Sequence, residues 1–111
     1  MAYDETLAAR VRDVLAGTEG VTERKMFGGL AFMVGGHMAC GIVGDELMLR
    51  LGPARAERAL ARPHVRPMDF TGRPMTGMVF VGADGLRYRA LRTWVVQAVE
   101  FVGTLPPKTA R

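Results

Sequence analysis

Leu7, Val11, Val14 and Leu15 recur at helical spacing between Asp4 and Gly17. That stripe predicts an amphipathic helix over residues 4–16. Asp4 suits its N-cap and Gly17 its stop. From residue 22 to 51 the chain reads as strands. Arg24-Lys25-Met26-Phe27 leads into Gly28-Gly29, which reads as a bulge or bend inside a strand-like run. Segments 30–34, 37–43 and 46–51 follow, separated by the turn dipeptides Gly35-Gly36 and Gly44-Asp45. Alternation puts Leu47, Leu49 and Leu51 on one face, with Met48 and Arg50 on the other. It likewise puts Met38, Cys40 and Ile42 together.

A second helix is expected over 53–62, opened by Pro53 and ended by Pro63. Ala56, Ala59 and Leu60 would face inward, with Arg55, Arg58 and Arg62 on the opposite face. Segments 65–70 and 76–81 return to extended structure around a turn at Thr71-Gly72-Arg73-Pro74. After a turn at Ala83-Asp84-Gly85, the stripe Leu91, Trp94, Val95, Ala98, Val99 and Val102 predicts the last helix. Pro106-Pro107 stops it. The order is α-β(3)-α-β(2)-α, which rules against alternating βαβ units. It predicts a two-layer α+β fold, an antiparallel sheet with helices packed on it. The chain reads as one domain over 1–111, with a core of about 4–105 and a tail over 106–111. A chain of 111 residues can bury roughly two-thirds of its unfolded surface, enough for one core.

Composition narrows the chemistry. The single cysteine, Cys40, excludes an internal disulfide and a multi-thiolate zinc site. Its apolar strand neighbours mark it as a core residue rather than a nucleophile. There is no serine or asparagine and one glutamine, Gln97, so a serine nucleophile is excluded. His37 and His64 are far apart in sequence with no carboxylates at ligand spacing, and Asp45-Glu46 are adjacent turn acids pointing to opposite faces. The glycine pairs do not spell a phosphate-binding loop. No catalytic residues, metal or cofactor are therefore expected, no small-molecule substrate is identified, and the chain is not expected to be an enzyme. It opens without a signal peptide and has no apolar run of membrane-spanning length, so it is expected to be cytoplasmic and free of the membrane.

Charge is uneven. The first 49 residues carry four basic and seven acidic side chains, while residues 50–92 carry nine arginines and three acids. Arg55, Arg58 and Arg62, joined by Arg66 and Arg73, form either a solvated surface or a site that converges on phosphates. The pattern lacks interleaved aromatics, which favours the solvated face. Seven methionines lie between residues 26 and 78. They suit an irregular core, and an apolar second sheet face would suit pairing with another subunit.

These residues carry a resemblance. Arg24-Lys25-Met26-Phe27-Gly28-Gly29-Leu30, then Met38, Gly44-Asp45, Leu47-Met48-Leu49-Arg50 and Gly72-Arg73-Pro74-Met75, resemble the TfoX N-terminal domain family (TfoX/Sxy-like). The closing helix, with Trp94 ahead of Leu105-Pro106-Pro107-Lys108, fits as well, so the likeness runs from about residue 10 to 108. Ala31 stands where the family often has glycine. The resemblance implies a secretion-chaperone-like α/β domain and a regulatory role, linked in the best-known members to bacterial competence. Those members carry a second, C-terminal helical domain, which this chain is expected to lack. It brings no catalytic residues. The expected function is thus a regulatory or adaptor domain that binds a protein partner or a second copy of itself. The alternative is nucleic-acid binding through the arginine face.

Overall fold

The computed structural model describes residues 3–26, 28–68, 76–87 and 89–106. Phe27, Gly72, Arg73, Pro74, Met75 and the expected turn at 71–74 lie outside the described residues. Helix α1 (Glu5–Leu15) starts where Asp4 accepts a hydrogen bond from the Leu7 N–H at 3.0 Å. It buries Leu7, Ala8, Val11 and Leu15. Then come β1 (Val21–Met26), β2 (Gly29–Val34), β3 (His37–Val43) and β4 (Glu46–Arg50), one strand more than expected. The extra strand arises where a bulge or bend was expected. The chain reverses at Gly28, whose φ is +71°, and β1 pairs back on β2 with Met26 opposite Gly29. Helix α2 (Pro53–Ala59), β5 (Val65–Pro67), β6 (Met78–Val81) and α3 (Arg89–Gly103) complete the order, and the turn expected at 83–85 is a single 3-10 turn, Ala83–Leu86.

All strand neighbours are antiparallel, in the order β1-β2-β3-β4-β6-β5. This is the α+β class that the sequence predicts. One sheet face carries Leu30, Phe32, Cys40, Ile42, Leu47, Leu49, Val79 and Val81 into a single core with the helices. From α3 that core takes Leu91, Trp94, Val95, Ala98 and Val102, and from α2 only Ala56 and Ala59. Full burial of a Leu, Phe or Val side chain contributes about 1.5–3 kcal/mol, so this face dominates the stability.

The opposite face holds a smaller cluster of Met48, Met68, Met78 and Phe80. Met38 packs against that cluster, not beside Cys40 as alternation predicted. The cause is a register shift: Phe32 faces Cys40 but Met33 faces Met38, which leaves Ala39 as an extra residue and reverses the parity. The four clustered side chains are buried within the chain, so this part of the face is not an open apolar surface. Among the described residues the exposed large apolar side chains are Leu60 and Val96, both in the helix layer.

Gly29 is required by close approach. A Cβ there would stand 2.0 Å from the Ile42 carbonyl oxygen, a backbone atom that cannot swing aside. Gly29→Ala is therefore expected to destabilise the fold by roughly 3 kcal/mol, the upper end of the usual cost of overpacking. Gly17→Ala, whose Cβ meets nothing within 4 Å, should leave stability unchanged or slightly raised. Urea unfolding of the two variants checks the contrast.

Candidate functional site

The site forms where α2 meets α3. Helix α2 is held at its start by backbone. The N–H groups of Leu51 and Gly52 donate to the Gly77 carbonyl at 2.8 and 3.1 Å. Gly52 has φ +85°, and a Cβ on it would press within 2.5 Å of the Phe101 ring of α3. Only glycine lets the two helices meet there. The buried side chains of α2 are two alanines, so little side-chain bulk separates it from its neighbours.

Helix α2 ends at Ala59 rather than at 62. The Ala61 and Arg62 N–H groups donate to the Arg58 and Ala59 carbonyls at 3.2 and 2.9 Å, a tightened last turn. Leu60, expected to face inward, is instead 41% exposed on this turn. At 3.6 residues per turn, positions 55 and 58 lie beside the Ala56/Ala59 stripe, not diametrically opposite it, and Arg62 follows on the tightened turn. The arginines therefore flank α3. Arg55, Arg58 and Arg62 line one groove of about 400 Å3 with Ala59, Trp94, Gln97 and Glu100.

Each arginine is placed differently. Arg55 donates to the Gln97 carbonyl at 3.1 Å and to the Glu100 carboxylate at 3.2 Å. Both members of that ion pair are exposed, so it contributes about 0–1 kcal/mol and is easily exchanged. Arg62 lies over the Trp94 ring, 5.8 Å from its centroid. Neither Arg58 nor Arg62 has an acidic partner among the described residues. The groove is thus basic, with one acid on its rim and the chain's one tryptophan at its floor.

The other two arginines do not join them. Arg66 lies on the far side of the sheet, over the Phe80 ring at 4.5 Å and paired with Glu46 at 2.6 Å. Arg73 lies outside the described residues. The α3 wall of the groove was not read from the sequence as functional. Trp94 served as a core residue, yet Gln97 and Glu100 follow it at steps of three, which traces the edge of the apolar stripe.

The remaining candidates are structural. Cys40 is fully buried, and burial pushes its thiol from the ordinary 9.0 up to about 12. His37 donates from Nε2 to the Pro106 carbonyl at 2.6 Å, which ties the β2–β3 hairpin to the segment after α3. His64 adopts φ +69° at an exposed turn, and its carbonyl accepts from Gly82 N–H at 2.8 Å. Arg12 and Glu23 join α1 to β1 through two hydrogen bonds of 2.7 and 2.9 Å, which hold the Glu23 carboxyl below its usual range. Among the described residues no group of three His, Cys, Asp or Glu could hold a metal ion.

Fold and groove together define a small α+β domain that presents a basic cleft between two helices. The chain belongs to the TfoX N-terminal domain family, whose family model matches residues 13–102 of 111. That span contains the whole sheet, α2 and most of α3. Comparison with curated proteins and with solved structures gave no match.

The buried thiol has a pH consequence. Its pKa is raised on folding, so its contribution to stability is complete below about pH 9 and is lost as pH rises toward 12. Wild type should lose stability relative to Cys40→Ala across that window. Native protein at neutral pH should resist a thiol reagent that labels the unfolded chain at once. Denaturant melts at stepped pH, with labelling in parallel, check both.

Proposed function

We propose that this chain is a regulatory domain that acts by binding a protein partner through its helix layer. The observation that carries the reading is the α2–α3 groove: three arginines, two of them without an acidic partner among the described residues, converge beside Trp94. Leu60, exposed on the turn that ends α2, and Val96, exposed on α3 toward α1, add apolar contacts to the same helix layer. Membership of the TfoX N-terminal domain family supports a regulatory role, and that family is not known for enzymes. The process regulated, on the family pattern, is transcription, with competence as its best-known case. A single free cysteine fits the cytoplasm, where thiols stay reduced. No helix among the described residues is long and apolar enough to cross a membrane.

A second reading, nucleic-acid binding, is favoured by the same convergence of Arg55, Arg58 and Arg62. It is weaker for two reasons. Trp94 is 7% exposed and Arg62 lies over its ring, so it offers a base little surface to stack on. Glu100 on the rim also opposes a run of phosphates.

A photo-crosslinking residue placed at Leu60 in cells should capture a discrete protein, while the same residue at the exposed β1 position Lys25 should not. Crosslinks from Lys25 alone, or to nucleic acid alone, contradict the reading. The pure protein should bind duplex DNA and RNA only weakly across a salt series followed by anisotropy, and a tight complex with a steep salt slope favours the second reading.

A further inference from the structure

We infer that the α2–α3 groove takes an acidic, amphipathic helical segment of the partner, with Glu100 as a built-in surrogate that the segment's carboxylates displace. This rests on the reading that the helix layer binds protein, and it names the chemistry that the layer recognises. Three facts carry it. First, the groove already shows a carboxylate in use: Arg55 holds Glu100 at 3.2 Å while also donating to the Gln97 carbonyl. Arg58 and Arg62 line the same groove with that demand unmet among the described residues.

Second, the spacing matches. Arg55 and Arg58 stand one helical step of three apart on α2, and Arg62 follows on the tightened turn that ends it, so all three line the same groove. At about 1.5 Å rise per residue, a partner helix brings carboxylates past that line at steps of three and four. One helix face laid along the groove can therefore meet the three guanidiniums, each able to donate to a carboxylate in fork geometry.

Third, acids break up the charge. Exposed Glu57 on α2 and Glu100 on α3 stand among the exposed arginines of the helix layer, Arg89 and Arg92 included, so a segment that offers discrete carboxylates meets less repulsion than a continuous polyanion. Leu60, exposed on the turn that ends α2, offers apolar contact to the rest of such a segment.

The chain's one tryptophan reports the event directly, because a ligand that draws Arg62 away changes the surroundings of Trp94. The test titrates the whole protein with an alanine-based helical peptide, free of aromatic residues, that bears glutamates at steps of three and four. Its glutamine counterpart, inorganic phosphate and a single-stranded DNA oligomer serve as the other arms. The glutamate peptide should give a saturable change in Trp94 emission at low salt, and the glutamine peptide none. Arg58→Glu should weaken binding by about tenfold or more. Glu100→Gln should tighten it several-fold, a direction that mere damage to the fold does not produce. Arg58 is exposed, so its replacement should leave the thermal melt unchanged.

Equal binding of the glutamine peptide overturns the inference. So does a response to DNA or phosphate, sensitive to Arg58→Glu, with none to the peptide. If no probe binds while Leu60 still crosslinks to a protein, the acidic-helix inference falls and the protein-binding function stands. If Leu60 captures nothing as well, both fall.

Discussion

The packing of α3 on the strands β3 and β4 is the contact on which the rest of the structure depends. Leu91, Trp94, Val95, Ala98 and Val102 form one buried stripe, and they meet Cys40, Ile42, Leu47 and Leu49 from the sheet in the same core. Once that stripe is seated, helical geometry dictates where its edges point. One edge, through Gln97 and Glu100, becomes a wall of the basic groove. The other, through Val96 and Val99, lines the seam with α1. Helix α2 then completes the groove from a position fixed by backbone: Gly52 against Phe101, and the hydrogen bonds to Gly77. Had α2 buried large side chains instead of Ala56 and Ala59, it would stand further off and its arginines would face solvent separately.

The rest of the surface is less suited to a partner. Strand β1 is an edge strand whose residues 22–25, two basic and one acidic among them, are all exposed. At the other edge β5 is three residues long and ends in Pro67. Charges, shortness and proline are the usual guards against strand addition. On the far sheet face Met48 and Phe80 are buried, and Arg66 lies over the Phe80 ring. The helix layer, with its basic groove and the exposed Leu60 and Val96, remains the surface with recognition chemistry among the described residues.

Local rules made much of the fold legible in the sequence. Asp4 capped α1, Gly35-Gly36 and Gly44-Asp45 turned the meander, and the stripe from Leu91 to Val102 set α3. Where a single backbone residue changes the geometry, pattern reading failed. The reversal at Gly28 made two strands of one run, and the extra Ala39 sent Met38 to the other face from Cys40. The site was legible only in half. Spacing grouped Arg55, Arg58 and Arg62 but also drew in Arg66, which the sheet carries to the opposite side. That α3 would stand beside those arginines, with Trp94 under Arg62, follows from long-range packing that periodicity does not encode.

Binding at the helix layer, and within it at the α2–α3 groove, can be followed by NMR on isotope-labelled protein, through the arginine side-chain Nε–H signals and the Trp94 indole as the captured partner, or the acidic peptide, is added. Arg55, Arg58, Arg62 and Trp94 should shift together while Arg24 and Arg66 stay in place. Shifts centred on Arg24 or Arg66, with the groove signals unmoved, would place binding on the sheet and contradict binding at the helix layer.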